Sequence, residues 1–315
     1  MNSLDTLIQA LKSIDNVYII SHMYPDGDAL GSAFVLGHVL QKMGKKAAVK
    51  IAKDMPEKFK FMENYVIPQE FEPDYIVSVD LASSSLVHPS LEKYAAKIDL
   101  CIDHHVSNRG FAPINYVDAE AAATAEIIYD IIKALKIPLD NEIVEGLYIG
   151  ISSDTGCFKY SNTTYKSHQI ASDLMKFGLN TSAINEKLFT VKSKKQLQLE
   201  KILYKNLEYL FGGKCAITFV TLDEMAENGI TEEECDGIAS LPIKIEGVGI
   251  GLTMREKAPG NYKVSIRTTG NNNATKLASV FGGGGHFKAS GFSIEGSLEE
   301  IKSRISNAVK NQTGW

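Results

Sequence analysis

The segment "SHMYPDGDALGSA" carries one histidine and two aspartates, His22, Asp26 and Asp28, at spacings that suit metal ligation. Gly27 allows a tight turn between the two carboxylates just before a predicted helix, so they can face different neighbours. An isolated Asp-x-Asp pair more often supplies a helix cap and a turn residue than two metal ligands. This segment is therefore informative only in combination with others.

Three further segments place acids or histidines where an apolar element ends. "VSVDLAS" ends a predicted strand at Asp80, and "CIDHH" ends another at Asp103, His104 and His105. "GISSDTGCF" places Asp154 after a helical stretch of small residues that permits close backbone approach. A single acid in such a place is explained as well by a cap or a loop.

Taken together, the segments supply two imidazoles and four carboxylates, a set that suits two divalent cations. Oxygen ligands outnumber nitrogen ligands and no cysteine takes part, which favours two Mn²⁺ ions over zinc, with Mg²⁺ as the alternative. Two ions about 3.5 to 4 Å apart can share a hydroxide and hold both the attacking and the leaving oxygen in phosphoryl transfer. The candidate metal ligands are His22, Asp26, Asp28, Asp80, His104 and Asp154.

The elements that must position these ligands alternate in type along the first part of the chain. The strand-like runs "NVYIISH", "AAVKI", "YIVSVD" and "DLCID" accompany helix-like segments at about 28 to 43, 121 to 135 and 141 to 152. Such alternation predicts an α/β fold with a mostly parallel sheet covered by helices. Because ligands bind at the carboxyl ends of strands in such sheets, we expect the candidate residues to converge there.

The chain of 315 residues is longer than one core usually fills, and we expect two domains. Residues 1–185 are assigned to the α/β catalytic domain. Residues 186–210 are rich in Lys, Glu and Leu, contain neither Gly nor Pro, and are assigned to a helical linker. Residues 211–315, with strand-like runs such as "YKVSIRTT" and a short helix in "NATKLASV", are assigned to a smaller α+β domain.

Composition limits the classes of partner. The net charge of −5 argues against a protein that coats long nucleic acid, but it permits a small anionic substrate in a local pocket.

No apolar run reaches the roughly 18 to 20 residues of a membrane helix, and the first residues do not resemble a signal peptide. We therefore expect a cytoplasmic protein with no membrane association. The four cysteines form no CxxC pair and are expected to be reduced.

The second domain concentrates positive charge, with six basic residues against one acid between positions 251 and 290. Arg267 lies on the alternating strand "YKVSIRTT", and its guanidinium can bind a phosphate through two N–H groups. The glycines at 282–285 precede His286 and suggest a cradle of backbone amides for phosphate, although a lone glycine run is more often a helix stop. The candidate substrate contacts are Arg267, Gly283, Gly284, Gly285 and His286.

The order of these motifs resembles that of the DHH phosphoesterase family. The pattern HxxxDxD at 22–28, then Asp80, Asp-His-His at 103–105 and Asp154 follow one another as in that family. "GGGGHFKASG" is similar to the GGGH signature of the family's DHH-associated nucleic-acid-binding domain. The resemblance extends from about His22 to Gly291. In length and domain order the chain is most similar to the nano-RNases that also act on 3′-phosphoadenosine 5′-phosphate.

The resemblance implies a role for each residue of the motifs. His105 would contact the phosphate or the leaving oxygen, Arg267 and the GGGH residues would bind the nucleotide, and Asp103 would orient a histidine ring. We further expect Arg267, together with His105, to stabilise the developing phosphoryl charge. Asp80 would bridge the two manganese ions and so take part in catalysis. One ion would be held by His22, Asp26 and Asp80, and the other by Asp28, Asp80, His104 and Asp154.

The implied activity is that of a manganese-dependent phosphodiesterase, a 3′-5′ exonuclease of short single-stranded RNA or DNA, with 3′-phosphoadenosine 5′-phosphate as a further substrate. The alternative is a phosphodiesterase of cyclic dinucleotides such as cyclic di-AMP. A pyrophosphatase is disfavoured because no "SRK" motif occurs in the C-terminal half. A binding protein without catalysis is disfavoured because all six candidate ligands are present. Base preference and the formation of a homodimer stay open.

Overall fold

The computed structural model describes residues 1–52, 55–235 and 237–315, which form two compact units, Met1–Val191 and Lys192–Trp315. Unit 1 contains a five-stranded sheet and unit 2 a six-stranded sheet. The α/β class and the smaller mixed second domain expected from the sequence are confirmed. The two units divide inside the range that we assigned to a linker.

The sheet of unit 1 consists of five parallel strands. They are β1 (Val17–Ile20), β2 (Ala47–Val49), β3 (Tyr75–Val79), β4 (Ile98–Asp103) and β5 (Ile114–Val117). Their order across the sheet is β2-β1-β3-β4-β5. All four residues of β1 are buried, as expected for a parallel strand that is covered on both faces. The ends of β1, β3 and β4 are therefore neighbours along one edge.

Seven α-helices lie in the part of unit 1 that the structure describes. They are α1 (Leu4–Ser13), α2 (Gly27–Lys42), α3 (Glu92–Ala95), α4 (Thr124–Leu135), α5 (Asn141–Asp154), α6 (Tyr165–Met175) and α7 (Thr181–Asn185). Helices α2 and α5 pack closely through glycines. A Cβ atom on Gly31 would lie 2.5 Å from the carbonyl oxygen of Gly146, and one on Gly146 would lie 2.4 Å from Val35 Cγ2. The missing side chains let the backbones of these helices approach.

The sheet of unit 2 is mixed. Its strands are β6 (Glu208–Leu210), β7 (Cys215–Val220), β8 (Ile250–Ala258), β9 (Asn261–Thr268), β10 (Gly284–His286) and β11 (Ala289–Glu295). They lie in the order β10-β11-β9-β8-β7-β6, with β7 and β8 parallel and the other neighbours antiparallel. The helices are α8 (Lys194–Lys205), α9 (Leu222–Glu227), α10 (Ala274–Ser279) and α11 (Leu298–Thr313).

Helix α8 falls within the segment that we assigned to a linker. Its side chains Leu199, Ile202 and Leu203 are buried and pack in one cluster with Val220 and Met225. The helix is therefore an integral part of unit 2. Ser193 and Gln196 form a reciprocal cap at its first turn, which fixes where the helix begins.

Within the described ranges, none of the helices has the length and apolar character needed to cross a membrane. The four cysteines are free, and Cys101 and Cys215 are buried. Burial raises the pKa of the Cys101 thiol to about 11 and that of the Cys215 thiol to about 12. Both are thus neutral, structural side chains at physiological pH.

Candidate active site

The carboxyl ends of three adjacent strands bring two histidines and one aspartate of the predicted ligand set together. His22 lies two residues after β1, Asp80 follows β3 directly, and His104 follows β4 directly. The Nε2 atom of His22 lies 3.6 Å from Asp80 Oδ2, and the Nε2 atom of His104 lies 3.6 Å from Asp80 Oδ1. Asp80 is thus central among the predicted ligands.

Two helix ends supply the other carboxylates. Asp26 caps α2, because its Oδ1 accepts hydrogen bonds from the backbone N–H groups of Asp28 at 3.0 Å and Ala29 at 3.1 Å. Asp28 lies in the first turn of α2 and Asp154 is the last residue of α5. The close packing of these two helices brings Asp28 and Asp154 to the same side of the site. Asp26 therefore serves as the cap while one of its oxygens stays available to a cation.

The six predicted ligands form two groups, which a third group of Asp80, His104 and His105 connects. His22, Asp26 and Asp80 each offer one ligand atom within 4.8 Å of the others, and so do Asp28, His104 and Asp154. Among the distances between a histidine nitrogen and a carboxylate oxygen of these ligands, the shortest is 3.3 Å, from His104 Nε2 to Asp154 Oδ2. The arrangement joins residues that are up to 132 positions apart, His22 and Asp154.

Asp80 has an unusual backbone conformation. Its φ angle is +52°, in the left-handed region that non-glycine residues seldom occupy, although aspartate and asparagine do so more readily than others. Its side chain is only 3% exposed. The Thr124 hydroxyl donates a hydrogen bond to Asp80 Oδ1 at 2.9 Å and helps to fix the carboxylate. Thr124 was not among the predicted site residues.

Asp28 is almost fully buried and is held by the start of α4. The backbone N–H groups of Thr124 and Ala125 donate to its two oxygens at 2.6 and 2.9 Å. The Ser32 hydroxyl also donates to it, at 3.2 Å. Orphan N–H groups at a helix start thus orient this carboxylate.

The Asp-His-His segment divides into three roles by its contacts. His104 Nδ1 lies 3.2 Å from the Ala121 carbonyl oxygen, an arrangement that leaves Nε2 as the ligand atom. His105 Nδ1 lies 2.7 Å from Asp103 Oδ1. The predicted role of Asp103 in orienting a histidine ring therefore falls on His105.

Asn108 completes the support of this segment and was not predicted. It is buried, and its Nδ2 donates to Asp103 Oδ2 at 2.8 Å and to the Leu81 carbonyl oxygen at 3.1 Å. Asn108 fixes Asp103, which in turn fixes His105. The spacing Asp-x₄-Asn in "DHHVSN" was the available signal, but it does not reveal a side-chain contact.

The electrostatics of the site favour the binding of cations. Burial and the charges of Asp80 and Asp154 raise the pKa of Asp28 well above its usual range. Burial, together with Asp26 and Asp80, raises the pKa of Asp154 to about 7 against the opposing effect of His104. Carboxylates crowded in this way are unfavourable as free anions, and divalent cations would relieve the repulsion. The oxygen-rich donor set thus fits two hard-to-borderline metal ions.

The surroundings of His105 favour its charged form, in contrast to those of Asp28 and Asp154. Burial lowers the pKa of His105, but the Asp103 hydrogen bond and the nearby charge of Asp80 outweigh this effect and raise the pKa to about 9. In the cation-free site the ring is therefore an imidazolium at neutral pH. Such a ring can donate to a negatively charged oxygen.

The predicted substrate contacts belong to unit 2. His286 of β10 pairs in register with Ala289 of β11, which pairs with Arg267 of β9. Partners in register point to the same face of a sheet, so His286 and Arg267 share one face, two strands or about 10 Å apart. Gly285 has a φ angle of +138°, and a Cβ atom there would lie 2.6 Å from the Ala289 carbonyl oxygen. Glycine is required at that position.

Gly283 and Gly284 also lie against or within the antiparallel strands of unit 2. Gly284 lies in β10, paired with Gly291 of β11, and is exposed. A Cβ atom on Gly283 would lie 2.2 Å from the Gly291 carbonyl oxygen. Part of the predicted amide cradle is therefore hydrogen-bonded into an antiparallel ladder, and only its outer edge is open to a ligand.

The fold and the site define a class of hydrolase that acts on phosphoester bonds. The "DHH family, N-terminal domain" matches residues 16–151, and the "DHHA1 domain" matches residues 212–311. The chain belongs to the DHH family of phosphoesterases.

Individual relatives are similar to the chain over most of its length. The chain is 30% identical, over 96% of its own length and 92% of the relative's, to the bifunctional oligoribonuclease and PAP phosphatase NrnA of Thermus thermophilus. An exopolyphosphatase-related protein from Bacteroides fragilis shares the fold with a TM-score of 0.88 at 24% identity, covering 98% of this chain and 95% of that one. Exonuclease RecJ bound to manganese gives a TM-score of 0.54 at 14% identity, with coverages of 98% and 95%.

Proposed function

We propose that this phosphoesterase is a manganese-dependent 3′-5′ exonuclease of short oligonucleotides that also hydrolyses the 3′-phosphate of 3′-phosphoadenosine 5′-phosphate. The observation that carries the proposal is the convergence of two histidines and four aspartates at one edge of the unit 1 sheet. The name of the Thermus thermophilus relative, which refers to both activities, supports the choice of substrates.

Two Mn²⁺ ions, with Mg²⁺ as the alternative, are the cofactors that we propose. Bound ions of this kind activate water as a nucleophile and neutralise charge on a transferring phosphoryl group. The manganese in the structure of RecJ, a protein with the same fold, supports this choice. The first ion would be held by His22, Asp26 and Asp80, and the second by Asp28, Asp80, His104 and Asp154.

The protein's own groups supply orientation and a contact to the phosphate. Asp80 is held rigid by burial and by the Thr124 hydroxyl, so that its carboxylate is fixed before substrate arrives. His105 is oriented by Asp103 through Nδ1, which leaves its Nε2 atom to contact the phosphate or the leaving oxygen. The Asn108 side chain holds Asp103 in the orientation that this role requires.

Unit 2 supplies the substrate contacts in this proposal. The Arg267 guanidinium would bind a phosphate, and His286 with the exposed edge of Gly283 to Gly285 would contact the nucleotide. The common face of Arg267 and His286 supports their acting on one ligand.

The test is product analysis with purified protein and Mn²⁺ on four separate substrates: a linear diribonucleotide, 3′-phosphoadenosine 5′-phosphate, cyclic di-AMP and pyrophosphate. Hydrolysis of the first two, with the cyclic compound and pyrophosphate far slower, is the expected result. Asp80→Asn should lose this activity, whereas Asp5→Asn, the same change at an exposed position on α1, should keep it. Preference for cyclic di-AMP would replace the proposal with the cyclic dinucleotide alternative.

A further inference from the structure

The two faces of β9 in unit 2 differ in burial: one is fully buried, and the other is exposed at Lys263 and half-buried at Ser265 and Arg267. Tyr262, Val264 and Ile266 alternate with Lys263, Ser265 and Arg267, and the first three are buried in the core that α10 and α11 cover. The side chains of Lys263, Ser265 and Arg267 therefore project to the opposite face. His286 and Arg267 lie at one end of that face.

A second group of cations lies at the other end of the same face. Lys263 pairs in register with Arg255 of β8, and Lys257 lies two residues further along β8. Glu232 binds two of the three cations, with distances of 2.9 Å to Arg255 Nη1 and 2.5 Å to Lys257 Nζ. In the described part of the chain, no carboxylate forms an ion pair with Lys263. One carboxylate among three cations leaves a local charge of about +2.

The charges in this group repel one another. Partial burial and the charges of Arg255 and Lys257 lower the pKa of Lys263. Like charges in register on adjacent strands destabilise a sheet unless an anion lies between them. A bound phosphate group, with several acceptor oxygens, would satisfy the cations that Glu232 does not.

The side chains between the two cationic groups on the β11 and β10 side of β9 are small. Ser265 pairs in register with Gly291 of β11, and Gly291 pairs with Gly284 of β10. Lys263 and Arg267 are four residues apart on one strand, about 13 Å. That distance is about two nucleotide steps of an extended single strand. A strand that reached both groups would carry an internal phosphate at each.

We propose that Arg255, Lys257 and Lys263 form a second anion site, which binds an internal phosphate of a single strand longer than a dinucleotide. This inference rests on the proposed function, in which Arg267 binds the phosphate nearer to the hydrolysed end. Glu232 occupies part of the site as an internal counterion and competes with the phosphate. A dinucleotide is too short to reach the site, so the three cations favour longer strands selectively.

The test measures binding of phosphorothioate-linked RNA to the Mg²⁺-loaded protein by calorimetry. The phosphorothioate linkage keeps the charge, and it resists hydrolysis because the hard Mg²⁺ ion binds sulfur poorly. Wild-type protein should bind a tetranucleotide more tightly than a dinucleotide. Lys263→Gln should raise the Kd of the tetranucleotide about threefold to tenfold and reduce the slope of log Kd against log salt by about 0.7. Its Kd for the dinucleotide should change by less than about twofold.

Two further variants sharpen the result. Glu232→Gln should lower the Kd of the tetranucleotide, because the competing carboxylate is removed. Lys310→Gln removes the same charge from an exposed position on α11, the helix that covers the other face of the sheet, and should leave both Kd values unchanged.

Several outcomes would overturn the inference. They are equal affinity of the wild type for both lengths, no effect of Lys263→Gln, an equal effect on both lengths, or weaker tetranucleotide binding by Glu232→Gln. Hydrolysis of unmodified oligonucleotides is measured in parallel. Length-dependent binding that requires Lys263 without any hydrolysis would contradict the proposed function and leave the anion site intact.

Discussion

Replacing Gly31 by alanine tests whether the close packing of α2 on α5 positions the metal ligands. The new Cβ atom would lie 2.5 Å from the carbonyl oxygen of Gly146, a backbone atom that no side-chain rotation can move. Restoring an ordinary contact of 3.4 Å requires the helices to separate by roughly 1 Å, since 3.4 minus 2.5 is 0.9. Asp28 lies one turn before Gly31, so this carboxylate would shift away from Asp154.

Gly37→Ala in the same helix is the matched control. Its Cβ atom would meet side-chain atoms, the nearest being Val66 Cγ2 at 3.0 Å, and these can adjust. Both substitutions gain about 1 kcal/mol of helix propensity, which cancels in the comparison. The difference isolates the packing cost, and Gly31→Ala should be less stable than Gly37→Ala by about 1 to 3 kcal/mol.

The free energy of unfolding is measured by urea titration with far-ultraviolet circular dichroism, and Mn²⁺ affinity by calorimetry. A ligand shift of roughly 1 Å exceeds the tolerance of about 0.2 Å for metal coordination, so the affinity of Gly31→Ala should fall. That of Gly37→Ala should not. If Gly31→Ala were as stable as Gly37→Ala and bound Mn²⁺ as tightly as wild type, close helix packing would not position the site.

Three other changes have defined outcomes. Thr124→Val, which removes the hydroxyl donor to Asp80, should lower kcat on the diribonucleotide about tenfold to hundredfold, and Thr124→Ser should restore it. Asn108→Ala should lower the pKa of His105 from about 9 in the metal-free protein, and NMR titration measures this pKa. An unchanged pKa would show that Asn108 does not hold Asp103 in its contact with His105. Because the pKa of Asp154 is raised to about 7, Mn²⁺ binding should release more protons at pH 6 than at pH 8.5. Calorimetry in buffers of different ionisation enthalpy measures this release, and equal values at both pH would contradict it.

The raised pKa of Asp154 also makes the stability of the metal-free protein depend on pH. The folded-state pKa of Asp154 lies above its unfolded value of about 3.9, so protonation favours the folded, metal-free protein. This contribution is fully present below pH 4 and is lost as the pH rises through about 7. Saturating Mn²⁺ should remove the loss, because a bound cation favours the ionised carboxylate.

Strong local patterns made the elements around the site predictable. The apolar runs at β1, β3 and β4 end on polar residues, and the rule for strand ends then places those residues together. Strand β5 was missed because all four of its residues are only half-buried, so that its sequence "INYV" lacks a clear pattern. Strand β10 was missed because its glycines lack strand propensity.

Residues that act through tertiary contacts were harder to find. Thr124 reaches Asp80 across 44 positions of the chain, and nothing in its local sequence distinguishes it from an ordinary residue at a helix start. Asn108 lies in a loop and contacts Asp103 only because the chain folds back after β4. Ligand types could be read from spacing, whereas the groups that orient them required coordinates.

The left-handed backbone at Asp80 limits how this protein can change by mutation. A branched or bulky residue at that position would combine loss of the carboxylate with backbone strain, and selection for folding alone would disfavour it. Asparagine and glycine tolerate the conformation and are each a single-nucleotide change from aspartate codons. A duplicated copy of the gene would therefore lose activity most easily by replacing Asp80 with asparagine or glycine. A descendant of that kind would keep the fold and unit 2, and would be a ready starting point for a protein that binds a ligand without cleaving it.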